Sequence, residues 1–459
     1  MSSEVAAGAD RPSSRRDQLV LMGARTARGF GAGALSIVIA LDLADAGYSS
    51  FAIGLLLGLA LGGAAGWALL VPRLELRWPR RRVFALSAVA LAAGGVLLWI
   101  DIGNPVLVLA AFLLGGIVAG GADVSPLGAL EQASLAGTTG HQRRTRTFAT
   151  YNLLGYIGVA LGALAAGPLY GVNTSVLPGL PSGPHDATFL FYGLLGLILV
   201  PAYRALSSEV EREAAVGRPS PLSPPSRSTV YSLSALFAVD AFGGGLIVNS
   251  LVVFYFSTRF QPSVDSLGFV FFASSLAAGA SLILAVPLAR RIGLVNTIVF
   301  SHIPSNILLI AVVFAPTFLV ASILWIARAT LSQMDVPTRQ SYVQAVVPKE
   351  DRAAAAGYTT AARGCQAFGA PVTGAFLAAG GPWLSAPFAL AGSVKIGYDL
   401  AFYSRFRHHR PPEEGAPPPG DGPRAPTGNA HPPVEERGTP RPPQRASGAG
   451  SATPSGAGN

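Results

Sequence analysis

The sequence predicts an all-α polytopic membrane protein, with twelve transmembrane helices in two pseudo-symmetric six-helix bundles, and three observations predict it. Half of the 459 residues are hydrophobic and only 12% are charged, too little charge to cover a soluble chain of this length. Apolar runs of roughly 20 residues, enough to cross a hydrocarbon core of about 30 Å, recur along most of the chain. The two halves of the sequence also resemble each other at an offset of 212 residues.

The twelve runs fall at 19–45, 51–72, 83–101, 105–126, 147–171, 187–205, 229–256, 264–289, 294–314, 316–336, 354–379 and 384–404. Residues 1–18 are polar and arginine-bearing, and read as a cytoplasmic tail without a cleavable signal peptide. Residues 19–205 form the first bundle. The polar stretch "EVEREAAVGRPSPLSPPSRS" marks a cytoplasmic linker over 206–228, and 229–405 form the second bundle. From residue 406 the chain is rich in proline, glycine and alanine, cannot bury a core, and is expected to be a disordered cytoplasmic tail.

Loop charge sets the orientation. Alternate connections, counted from the first, hold one basic residue, Arg259. The opposite set carries Arg77, Arg80, Arg81 and Arg82, then Arg143, Arg144 and Arg146, then Arg290 and Arg291, and Lys349 and Arg352. Basic loops stay inside, so both termini are expected in the cytoplasm and the chain in the plasma membrane. The net charge of +9 is therefore a topology signal facing anionic lipid rather than a nucleic-acid footprint. Cys365 is alone, the six histidines lack ligand spacing, and His302 reads as a hydrogen-bonded packing residue. No metal site or cofactor is expected.

The internal repeat pairs "GGADVSP" from Gly120 with "SQMDVPT" from Ser332, so Asp335 is the second copy of Asp123. Counted at about 1.5 Å per residue from Pro316, Asp335 falls near the inner edge of the bilayer, where the aspartate meets water.

Two six-span halves joined by a cytoplasmic linker, with a basic "RWPRRR" turn after the second span, resemble the major facilitator superfamily over roughly residues 19–405. That family's loop motif has the form G-x-x-x-D-R-x-G-R-R. Here Arg77, Arg80 and Arg81 match, Leu76 stands at the aspartate position and Pro79 at a glycine position, with Glu75 one residue away. The resemblance implies an inner-face latch, and Glu75 is expected to replace the aspartate by pairing with a helix end or basic group of the second half. Glu75, Arg77, Arg81, Asp123, Asp335 and Arg339 make up this expected gating set. Gly167, Pro168 and Gly171 form a partial echo of the antiporter signature. Gly54, Gly58, Gly62 and Gly66 form a smooth stripe on the second span, suited to close packing and, by the resemblance, to sliding during alternating access.

Charges within the runs are expensive unless paired or facing a water-filled cavity. They are Arg25 and Arg28 in the first run, Asp240 in the seventh, Arg328 in the tenth and Arg363 in the eleventh. The repeat offset places Asp240 where the first half has Arg28. This acid and base read either as a substrate or proton site or as an ion pair stitching the halves together. Asn152 and Asn249 are candidate hydrogen-bonding neighbours or plain packing residues. Arg328 lies about 18 Å along its run, too deep to snorkel, and is expected to pair with Asp240 or to hold an anionic group of the substrate. Lys395 and Asp399, four apart on the last run, read as a local ion pair away from any site. The excess of arginines over acids hints at an anionic solute.

These features point to a secondary active transporter for a small organic solute, anionic or drug-like, with proton coupling and Asp240 as the coupling carboxylate. The expected partners are the substrate, membrane lipid and protons, with the chain acting as a monomer. A membrane-embedded enzyme would need clustered catalytic groups, and none is found. No G-x-x-x-x-G-K-[ST] occurs, which argues against direct drive by ATP. The alternative is a non-transporting sensor or scaffold on the same fold.

Overall fold

In the computed structural model the described residues are 12–115, 126–139, 144–170, 172, 187–211 and 222–407. They fall in one compact unit, Met1–Gly415. A second unit, Ala416–Asn459, lies outside the described residues, as do Asp123, Gly171 and Arg143.

Sixteen α-helices are described, and no strand occurs among the described residues. They are α1 (Pro12–Asp45), α2 (Ser50–Glu75), α3 (Arg80–Ile100), α4 (Pro105–Gly115), α5 (Pro126–Thr138), α6 (Arg144–Tyr170), α7 (Ala187–Arg204) and α8 (Pro224–Gly245). There follow α9 (Asn249–Phe260), α10 (Val264–Ile292), α11 (Leu294–Ala311), α12 (Phe318–Ser332), α13 (Asp335–Ala345), α14 (Arg352–Ala362), α15 (Gly369–Ala379) and α16 (Ala386–Phe406). Among the described residues eight helical segments are long and apolar enough to cross a membrane, with α8 and α9 counted together. The last three expected spans depart from that pattern for visible reasons. The tenth is split at Gln333 and Met334, the eleventh passes through a 3₁₀ stretch at Arg363–Phe368, and the twelfth carries Lys395, Asp399 and Arg405.

Two element limits differ from expectation. The first helix begins at Pro12, and α5 is a helix where a cytoplasmic connection was expected. Its apolar residues Leu127, Leu130 and Leu135 are buried at helical spacing, which is why this stretch folds as a helix.

Small residues set the helix contacts. A methyl group built on Gly33 of α1 would lie 2.1 Å from the Val159 carbonyl oxygen on α6, so these helices touch backbone to backbone. The stripe on α2 records how helices of the two sequence halves meet. Added methyls at Gly54 and Gly58 would lie 2.6 Å from Ala370 O and 2.7 Å from Ala367 O, one at Gly62 would be 3.7 Å from Ala367 Cβ, and one at Gly66 would meet nothing within 4 Å. The helices are therefore locked near the loops at 46–49 and 380–385 and splay apart toward the other end. The contact of α6 with α10 follows the same trend, from 2.6 Å at Gly268 against Ala163 O to 3.1 Å at Gly279 against Tyr156 Cβ.

Candidate substrate cavity

Three helix breaks surround one cavity. After Gly243, Gly244 and Gly245, α8 stops and the chain restarts as α9 at Asn249. Thr373 Oγ1 donates to the freed Leu246 carbonyl at 2.7 Å, satisfying a backbone group that the break orphans. A side chain at Gly245 would collide with Gln366 O, 2.0 Å from the added methyl. The breaks at Gln333–Met334 and Arg363–Phe368 complete the wall. Irregular backbone at membrane depth is tolerated where it lines such a space. The cavity measures about 190 Å³, and its lining includes Tyr156, Asp240, Asn249, Arg328, Asp335 and Arg363.

An ion network runs along one wall. Asp240 accepts from Arg339 Nη1 at 2.7 Å and from Lys395 Nζ at 2.6 Å. Arg339 Nη2 also reaches Asp335 Oδ2 at 3.2 Å, one helical turn away. His302 Nε2 lies 4.0 Å from Asp240, while its Nδ1 is 2.8 Å from Asp399 Oδ1. Asn306 Nδ2 donates to Asp399 at 3.2 Å.

Several expectations change here. Lys395 does not pair with Asp399: the long lysine reaches across to α8, while Asp399, fully buried, turns to α11. Lys395 also lines the cavity. Asp335 does not sit in water. It is only 2% exposed, because the helix resumes there as α13 and carries the carboxylate inward onto Arg339. The predicted pairing of Arg328 with Asp240 is not made; Arg339 holds that carboxylate. Arg328 instead lies over the Trp325 ring, 4.7 Å from its centroid, and its Nε is buried without a hydrogen-bond partner. His302 is hydrogen-bonded as expected.

The cavity lining holds four cationic side chains, Arg328, Arg339, Arg363 and Lys395, against two carboxylates, Asp240 and Asp335. Both carboxylates are engaged by Arg339, and Asp240 also by Lys395. Among the described residues no salt bridge reaches Arg328 or Arg363. An ion inside a membrane is costly unless it is paired or faces a water-filled cavity, and Arg328 and Arg363, both half-buried, face this one.

Arg28 and Arg25 belong to a different cluster. Arg28 Nη2 bonds Glu131 on α5, which also accepts from Tyr151 Oη at 2.6 Å and Tyr203 Oη at 2.5 Å. Arg25 lies 5.3 Å over the Tyr151 ring. Arg28 and Asp240 thus each find a partner in their own half and do not stitch the halves together. Neither arginine lines the cavity, nor does the half-buried Asn152. The bond crossing between the halves at the cavity is neutral, from Tyr156 Oη to Gln333 Oε1 at 3.0 Å.

The inner-face set also rearranges. Glu75 accepts from Arg80 Nε in its own turn rather than from the second half. Pro79 offers no side-chain cap to α3. Glu211 supplies one from the linker, accepting the backbone N–H of Arg80 at 2.6 Å and of Arg81 at 3.2 Å, a carboxylate at a helix N-terminus. Arg81 Nη1 further donates to Leu206 O at 3.1 Å, and Arg77 is exposed. At the other end of the linker Asp351 accepts from the Ser223 backbone N–H at 3.1 Å and from its hydroxyl. These bonds, the hydroxyl's first, hold the Asp351 carboxyl below the usual carboxylate range.

The family model described as Major Facilitator Superfamily matches residues 233–440. The chain is 25% identical to an uncharacterized membrane protein of Saccharomyces cerevisiae, YJR124C, over 389 residues, covering 77% of this chain and 86% of the yeast protein. Among solved structures it is similar to a bacterial homolog of the human lysosomal transporter Spinster, in an inward-facing and unoccupied conformation, at 15% identity and TM-score 0.61, over 86% of this chain and 96% of that one. The nucleoside transporter NupG matches at 14% identity and TM-score 0.65, over 85% of this chain and 99% of that one. The human organic anion transporter MFSD10 matches at 16% identity and TM-score 0.58, over 85% and 100%. At such identities the likeness to these structures speaks for the fold.

Proposed function

From the premise that the chain belongs to the major facilitator superfamily, we propose that it is a secondary active transporter that moves a small organic solute across the plasma membrane by alternating access, coupled to protons. The observation that carries this reading is a polar, charge-lined cavity built from the second sequence half and reached from the first by Tyr156, in a molecule whose helices α2 and α15 are locked at one end and part toward the other. Repeat interfaces near the midplane, built from broken helices, are where such proteins bind their cargo.

On this reading the chain has twelve spans in two bundles with both termini inside. The locked end then carries the basic-poor, outward loops, and the cavity opens toward the cytoplasm. The Asp240–Arg339–Lys395 network and His302 supply groups whose partners can change when a proton or solute arrives, and Asp240 is the coupling carboxylate. A cavity of about 190 Å³ suits a small solute. Among the fold neighbours, NupG is a nucleoside transporter and MFSD10 an organic anion transporter.

The test is uptake into proteoliposomes after a thermal-shift screen for ligands. An imposed pH gradient is expected to drive accumulation of a bound solute. Binding with no gradient-dependent flux would refute the transporter reading in favour of a sensor.

A further inference from the structure

The two carboxylates on the cavity wall are both spent. Asp335 and Asp240 share Arg339, and Lys395 closes the second oxygen of Asp240. What is left over is positive: Arg328 from α12 and Arg363 from the start of the 3₁₀ stretch, both lining the same space. Arg328 is held in position rather than loose. Its guanidinium lies over Trp325, and its Nε is buried without a hydrogen-bond partner, so N–H donors are fixed in place and unspent. A guanidinium is planar, always charged, and matches the two oxygens of a carboxylate or phosphate. Neutral donors and acceptors on the same wall, Asn249, Gln333 and Gln366, suit the uncharged remainder of a small molecule.

We propose that the solute carried in this cavity is a small organic oxyanion whose charged group is held jointly by Arg328 and Arg363. The word "carried" rests on the transport reading above, whereas the binding site itself does not. The Asp240 network, already balanced by Arg339 and Lys395, then forms the wall beside the anion rather than its seat. An incoming negative charge completes the electrostatics of the cavity, which otherwise carries two more cations than carboxylates on its lining.

The experiment uses purified full-length protein melted at matched ionic strength with sodium benzoate, sodium phosphate, neutral benzamide or sodium chloride. Benzoate or phosphate is expected to raise Tm in the wild type, and which of the two does so distinguishes a carboxylate group from a phosphoryl group. Affinity for that anion is expected to fall about tenfold or more for each arginine replaced by glutamine, the weight of a charged hydrogen bond. Arg328→Lys and Arg363→Lys keep the charge but lose the fork, and should retain part of the shift. The Tm of these lysine variants without any anion reports whether they fold.

Shifts of equal size with benzamide or chloride overturn the proposal, as does a full anion shift in R328Q/R363Q, or no shift with either oxyanion. Flux separates this inference from the broader one. An oxyanion that binds but never crosses proteoliposomes sinks the transport reading and leaves the site standing. Gradient-driven uptake of a neutral solute, unchanged in R328Q/R363Q, sinks the site and leaves transport standing.

Discussion

Arg28 and Asp240 stand at equivalent places in the sequence repeat and carry opposite charges, yet they live in opposite circumstances. Around Arg28 the charges close on themselves. Glu131, with no exposed surface, takes the guanidinium and two tyrosine hydroxyls, and the cluster has no share in the cavity. Around Asp240 the network stays open to the cavity, and the surrounding lining holds more cations than acids. Identical placement in a repeat therefore does not carry identical work. Charge balance and access to the cavity separate a group that holds helices together from one that can answer to a ligand.

The largest effect expected from breaking this contrast is at Glu131. Glu131→Ala leaves a buried arginine without its anion and should cost about 3–5 kcal/mol of stability, read as a steep fall in Tm or in folded yield. An apolar replacement of both partners, Arg28→Met with Glu131→Leu, should recover most of it. If E131A were as stable as the wild type, the first-half cluster would no longer count as structural.

Asp240→Asn tests the open side. It should abolish gradient-driven accumulation in proteoliposomes while solute exchange continues, with a smaller loss of stability than E131A. Normal concentrative uptake by D240N would remove Asp240 from any role in coupling.

His302→Gln probes the same network more gently. Glutamine can still donate to Asp399 but has no imidazole to reach toward Asp240, 4.0 Å from His302 Nε2. The expected outcome is slower gradient-driven uptake with little change in folded yield. An uptake rate identical to wild type would show that the imidazole is only a packing group.

The smallest expected effect lies outside the membrane spans. Because Ser223 holds the Asp351 carboxyl below its usual range, the linkage stabilises the fold above the unfolded carboxylate value and is lost as pH falls through the lower folded one. Ser223→Ala should therefore lower Tm slightly at neutral pH and leave it closer to wild type in acid. Equal differences at both pH values would contradict the linkage.

How much of this was legible beforehand varies by residue. Apolar runs of membrane length announce helices because they have no other way to satisfy their backbone in lipid, and the described helices other than α5 and α13 fall on them. An ion or amide within such a run must face something polar, and that rule picked out Arg328, Arg363, Asp240 and Asn249, which line the cavity, together with Arg25, Arg28 and Asn152, which do not. Glu131 was hidden by the reading that ended the fourth span at Pro126. The buried leucines on either side of it, at helical spacing, were the available clue. Lys395 and Asp399 mislead for a different reason: a four-residue spacing is a local rule, and which helices stand next to each other is not written locally. Asp335 misleads because depth was counted along one straight helix, whereas the chain breaks at Gln333 and starts again.

The stripe on α2 makes the helix pair a lever with its fulcrum between Gly58 and Gly62. On the locked arm any added methyl collides with backbone, while on the free arm Gly66 has room to spare. If the lever tips, that room vanishes and the free arm must bear the contact. Gly66→Ala would then be silent in the conformation seen here and burdensome in its opposite. Such a variant would weight the balance toward one side of the cycle without touching the cavity, and would show itself as solute exchange that stalls although binding from the open side is unchanged.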